Sequence, residues 1–356
     1  MFAKVSPRSV VGTTASPFGT ALAVALLMGA SAAPSAAAPI GDGGFVYTAN
    51  EGDNSLSRID LLTGEVLTVP TAVTPHNVQI TPDGKTLLAV GTEAMMMEGN
   101  EGGHDGEAKG ILLVFRADDL SAGPSAEIEV GEHPAHVIAD KDGKRAFVTN
   151  SEDGTVTVVD LVTASVTGTI PTGSFPHGMR MNPAGDEIYA ANVESGSVSV
   201  LDPVGLEEIE QIAVGDAPVQ VGFTPDGKRA FVSLRDDDSV AAIDPVTRSV
   251  VDRIAVGDGP IQIYSTPDSA FVLVANQGTE EQPSDTVSVI EVATSKVVQT
   301  IRTGAGAHGV AVNDNGQLAF ITNILDGTVS VIGIPTWDVI ATITVGAGPN
   351  GVTFGR

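Results

Sequence analysis

The side chains best suited to chemistry in this sequence are six histidines, His76, His104, His133, His136, His177 and His308, set among an excess of carboxylates. Neutral imidazole is a ligand for Zn, Cu and Fe, and nearby carboxylates lower the cost of bringing in a cation. His76 and His177 directly follow a proline, His308 follows Ala307 at the same place in a repeat, and His136 comes one residue later, after Pro134 and Ala135. These four are the candidate metal ligands, with His133 and His104 as outer candidates. A second reading stays open, in which a histidine that recurs with the repeat packs between units and hydrogen-bonds the backbone of the next one. Met95, Met96 and Met97, upstream of His104, would suit copper, or simply form a surface loop.

Other common chemistries lack their residues. The chain has no Cys, which removes thiolate nucleophiles, disulfides and thioether-linked haem, and no GxSxG, HExxH or phosphate-loop pattern. GAGAHG (304–309) and GAGPNG (346–351) satisfy the GxGxxG spelling of a dinucleotide loop, but no helical pattern follows to hold a pyrophosphate, so no organic cofactor is expected. Scattered loop residues such as Glu194 and His177 could still form an acid–base pair without being close in sequence.

What positions these residues is a repeat. An apolar run ending in Asn recurs as YTAN (47–50), FVTN (147–150), YAAN (189–192), LVAN (273–276) and FITN (320–323), weakening to Gly91 and Leu234 in LAVG and FVSL. Period-two segments that end in an acid follow, such as VTVVD (156–160) and VSVLD (198–202), and then a Gly turn, a Pro and an apolar strand, as in VGDAPVQV from 214. Aligned on Pro75, Pro134, Pro176, Pro218, Pro260, Ala307 and Pro349, the steps are 59, 42, 42, 42, 47 and 42 residues. Four strand-length segments in each such step predict an all-β, seven-bladed β-propeller with four-stranded blades. The chain starts with three strands (45–69) and ends with one (350–354), so the C-terminal strand should close the ring on the N-terminal three. The Asp-Gly turns TPDGK (81–85 and 224–228) read as hairpin structure only.

This topology sorts the loops. With strands alternating in direction from the axis outward, loops that enter the innermost strand share a face with loops between the second and third strands. All six histidines fall on that face, as do two insertions, Thr92 to Gly110 and Gly278 to Asp285, and the acids Glu51, Asp53, Glu152, Asp153, Glu194, Asp236, Asp237 and Asp238. The expected site is therefore an acidic, imidazole-rich mouth of the central channel.

A net charge of −26, from 18 basic and 44 acidic residues, excludes a phosphate backbone as a partner and suits a cation or a basic protein, or solubility alone. Lys4 and Arg8 before an apolar run, Ala21 to Met28, and then small residues spell a secretory signal over 1–38, too short to span a bilayer, followed by a single domain over 39–356. The expectation is a monomeric exported protein, periplasmic or extracellular, without a transmembrane segment.

FVTN, YAAN, FITN and VGxxP(H) resemble the YVTN-type β-propeller repeat proteins of bacteria and archaea, over about residues 45–356. Relatives implied by that resemblance include surface-layer and periplasmic binding proteins, the haem-bearing propeller of nitrite reductases, and lactone-cleaving enzymes. The copper cluster of the similar nitrous oxide reductases uses more histidines than the four near this mouth, and no residue here matches a lactonase's catalytic set. The leading expectation is a non-catalytic protein that holds a metal ion (Cu, Zn or Fe), a small ligand or a protein partner at the mouth. The alternatives are a propeller enzyme, a lactone hydrolase or a metal-dependent oxidoreductase, with its site on the same face, or a structural envelope module.

Overall fold

The computed structural model describes residues 40–41, 43–94, 109–334 and 336–356. The expected signal segment, His104 and Met95 to Met97 lie outside the described residues. No described helix is long and apolar enough to cross a membrane.

Among the described residues twenty-eight strands form seven four-stranded antiparallel sheets, and in six of them the strands follow in sequence order from the channel outward. In the seventh, Pro349–Gly355 is innermost and pairs with Phe45–Asn50, Phe45 facing Gly355 and Tyr47 facing Thr353. Ring closure by the C-terminal strand is therefore as expected. Each of the seven junctions between adjacent blades holds its own apolar cluster. Tyr189 and Phe223 pack one such junction at 4.9 Å between ring centroids, and Phe320 and Phe354 pack the closing one. Alternating side chains on the second and third strands serve two neighbours at once, which is why those strands are buried along nearly their whole length while the outermost ones are half exposed.

The repeat-ending Asn is a staple. Asn150 Nδ2 donates to Thr155 Oγ1 (3.0 Å) and Thr157 Oγ1 (2.8 Å), and its Oδ1 accepts from Gly131 N at 3.1 Å. Asn50, Asn192, Asn276 and Asn323 repeat the two donations. A Cβ on Gly131 would come within 2.5 Å of Asn150 Cγ, so the Gly of VGxxP and the Asn of FVTN are one packing unit. Where Ala72 replaces that Gly, the partner is Gly91, whose own Cβ would strike Thr74 O. The acid closing each third strand is likewise local: Asp60, Asp160, Asp202 and Asp244 accept the backbone N–H two residues on.

One expected loop is not a loop. The 278–285 segment extends the blade as strands Phe271–Gly278 and Pro283–Glu291, with Gly278 facing Pro283. This pairing satisfies its backbone groups, and Ser284 O also receives Gly306 N from the loop entering the next blade.

Candidate metal centre at the channel mouth

Every innermost strand carries a one-residue bulge just after its loop proline or Ala307. Pro134 faces Asn150, for example, while Val137 faces Val148. A bulge re-aims side chains locally, so the first or the second residue after the proline can face the channel. It is this irregularity that brings His136, at the second position, against His76 and His177 at the first.

The three rings form one cluster, with centroids 5.0 Å (His136 and His177), 5.3 Å (His76 and His177) and 6.3 Å (His76 and His136) apart. One nitrogen from each lies within 4.8 Å of the others. His76 Nε2 and His177 Nε2 are 3.2 Å apart. Ligands about 2.0–2.1 Å from a tetrahedral ion stand roughly 3.4 Å from one another, so this pair already has ligand spacing and the third must close in.

The surroundings orient the rings. His177 Nδ1 donates to Val219 O of the next blade at 3.3 Å, which leaves its Nε2 lone pair facing His76. His76 Nδ1 lies 3.2 Å from the Asn350 amide and 3.5 Å from Glu51 Oε2, and Asn350 also donates to Glu51 Oε2 at 2.8 Å. Gln262 Nε2 donates to His136 Nε2 at 3.1 Å and is itself reached by Gln220 at 3.2 Å. Thr149, within FVTN, ties two blades together: its hydroxyl accepts from His136 N (2.9 Å) and donates to His177 O (2.7 Å).

The electrostatics favour neutral rings at His136 and His177 beside a fixed negative charge at Glu51. Burial, then mutual repulsion with the neighbouring histidines, holds His136 well below the usual range, Arg180 adding to the effect. Burial and His76 do the same for His177. Burial works to raise Glu51, but the hydrogen bond and charge of His76 and the Asn350 amide outweigh it and bring the carboxyl down to about 2.

Other expected site residues are placed differently. His308 is buried outside the three-ring set, brought down to about 4 chiefly by burial, and its Nδ1 has no hydrogen-bond partner. His133 is on the rim, its side chain 52% exposed, 3.9 Å from Glu152 and edge-on to Phe175. Glu194 is exposed, and His177 bonds to His76 and Val219 instead. Part of the rim acidity is structural, since Asp53, Asp153 and Asp237 accept backbone N–H groups of the loops beside them. The sequence reading passed over Gln220, Gln262 and Asn350. Their signal was an amide directly after, or one residue past, the loop proline in otherwise apolar strands, as in VQV and IQI. Both GxGxxG copies run from a loop into a strand, Ala307–Val312 and Pro349–Gly355, with no helix.

No curated protein matches the chain. Among solved structures it is similar to hydrazine synthase of Kuenenia stuttgartiensis, at 22% identity and TM-score 0.66, over 80% of this chain and 91% of that one. A candidate 6-phosphogluconolactonase from Bacteroides fragilis NCTC 9343 aligns at 16% identity and TM-score 0.72, over 88% and 98%. A protein of unknown function from Desulfotomaculum acetoxidans DSM 771 aligns at 16% and 0.68, over 88% and 99%. At these identities the likeness is one of fold. Residues 229–356 match the family model described as a YNCE-like beta-propeller, and with its FVTN-like strand ends built into seven four-stranded blades the chain is a seven-bladed β-propeller whose repeat resembles the YVTN type.

Proposed function

We propose that this is an exported, non-catalytic binding protein that holds one transition-metal ion, Zn or Cu, on His76, His136 and His177 at the channel mouth. The observation that carries the reading is the His76–His177 nitrogen pair, 3.2 Å apart, with a third imidazole nitrogen within 4.8 Å. Binding would move the His76 proton from Nε2 to Nδ1, where Glu51 Oε2 at 3.5 Å can accept it, the carboxylate–histidine pairing that orients metal-bound imidazoles. Proton-transfer catalysis is less well served. An efficient general base titrates near the working pH, whereas His136 and His177 are pushed well below 6.5, His308 to about 4 and Glu51 to about 2. Export rests on the charged, then apolar, then small-residue order of the first 38 residues.

The test is elemental analysis and Zn²⁺ and Cu²⁺ titration calorimetry on the tag-free protein, repeated on His76→Ala and His177→Ala. One equivalent of metal, lost in both variants, is expected. A wild-type chain that binds none, or variants that bind as well as wild type, would overturn the reading.

A further inference from the structure

One position on the innermost strands, four residues after the loop proline and toward the opposite face, carries a single charge among its seven copies. Arg180, next to last in Pro176–Met181, is that charge; the other six members, Gln79 and Tyr264 among them, are uncharged. Arg180 Nη1 lies 3.4 Å from Gln79 Oε1, and its guanidinium sits over the Tyr264 ring, 5.4 Å from the centroid. Among the described residues no carboxylate pairs with it. Burial depresses its pKa, Tyr264 opposing. A part-buried guanidinium without a counter-charge is costly, and charges withdrawn from water are paired in almost all folded proteins.

A counter-charge has room. Arg180 borders a cavity of about 510 Å³ at this mouth, walled by Gln79, Tyr264 and Asn182 and by the apolar Ile138, Met181 and Phe354. The acids at its edge are engaged: Asp83 accepts from Thr81 Oγ1 and Lys85 N, and Asp314 lies 3.5 Å from Arg356. We infer that Arg180 anchors a second binding site, distinct from the histidine cluster, which takes a small organic monocarboxylate. The carboxylate meets the guanidinium fork with both oxygens and Gln79 turns its amide toward it, while the organic body lies against Ile138, Met181 and Phe354. Lys141 and Arg356 also line the cavity but are, respectively, bonded to Pro183 O and paired with Asp314, so the Arg180 fork is the group that meets a single carboxylate, and a chain of net charge −26 disfavours a phosphate dianion. The cavity also far exceeds an inorganic ion in size.

Thermal melting and calorimetry of EDTA-treated protein at constant ionic strength, with lactate, benzoate or inorganic phosphate, test this independently of any metal. Expected is a saturable rise in Tm with at least one carboxylate and none with phosphate. Arg180→Met should abolish the rise while melting, without ligand, no lower than wild type, because its uncompensated charge is gone. Arg180→Lys, which keeps the charge and loses the fork, should bind about ten- to a hundredfold more weakly, and it serves as the decisive variant should Arg180→Met not fold. The inference fails if neither carboxylate raises the wild-type Tm, if phosphate raises it equally, or if either variant binds like wild type.

Discussion

Two rings of positions run around the same innermost strands, and the side chains that stand out in them have opposite chemistry. Near the first mouth stand three imidazoles, two of which, His136 and His177, are pushed toward the neutral form, with Glu51 behind them as a fixed anion; toward the second, the Arg180 guanidinium stands over Tyr264 with no carboxylate paired to it among the described residues. The scaffold is close to seven-fold, so the difference comes entirely from where single blades depart from the repeat. His136 takes the place that Gln220 and Gln262 hold in other blades and Gly178 holds in the next, where a Cβ would strike Gln220 Oε1. Repeated positions such as Asn150 and Gly131 build blades, and unrepeated channel positions build sites.

The most severe way to break both rings at once is to delete residues 350–356, which removes nearly all of one innermost strand and its pairing with Phe45–Asn50. Calorimetric melting should show loss of the cooperative transition, or a fall in Tm of more than about 10 °C. A truncated chain melting like wild type would mean that the ring does not depend on this closure.

Acid should act on the histidine ring before the other. The folded-state pKa of His308 is about 4 against 6.5, so between those values the unfolded chain binds more protons. Stability is full above pH 6.5 and is lost as the pH falls toward 4, by up to about 3 kcal/mol from this group alone. His136 and His177, also depressed, act in the same direction. Denaturant unfolding from pH 7 to 4 should show the slope, and His308→Gln should flatten it.

Asn150→Ala tests scaffold against site. It removes two donations and the acceptor for Gly131 N, at a cost of about 2–3 kcal/mol by chemical denaturation, with metal stoichiometry at the mouth unchanged. Glu51→Gln should do the reverse, weakening metal binding about tenfold by titration calorimetry while changing stability less. The smallest effect couples the two rings. Arg180→Met removes a charge that helps depress His136, so the imidazole should titrate at higher pH, a shift readable by NMR. An unmoved His136 would mean that the rings are electrically separate.

Much of the fold could be read from period and punctuation. The 42-residue step, the lone C-terminal strand and the Asp-Gly turns are local signals, and a closed ring is the arrangement that gives the N-terminal three strands their fourth. The site was legible only in outline. His76, His136 and His177 were candidates on one face and do cluster there, but His136 sat one residue out of step with the other two, and His308, in step with them, is not in the cluster. Arg180 was not singled out, because nothing in PHGMRM distinguishes a channel-facing arginine from a solvated one.

By itself, then, the amino-acid order determined the number of blades, the closure of the ring and the face on which the histidines gather, since each follows from hydrogen bonding and burial repeated at fixed spacing. Only the tertiary structure decided which histidines meet and that Arg180 borders a channel cavity with no carboxylate paired to it among the described residues. Those outcomes depend on a one-residue bulge in each innermost strand and on contacts across the channel between residues 101 and 126 apart in sequence, and no local pattern records either.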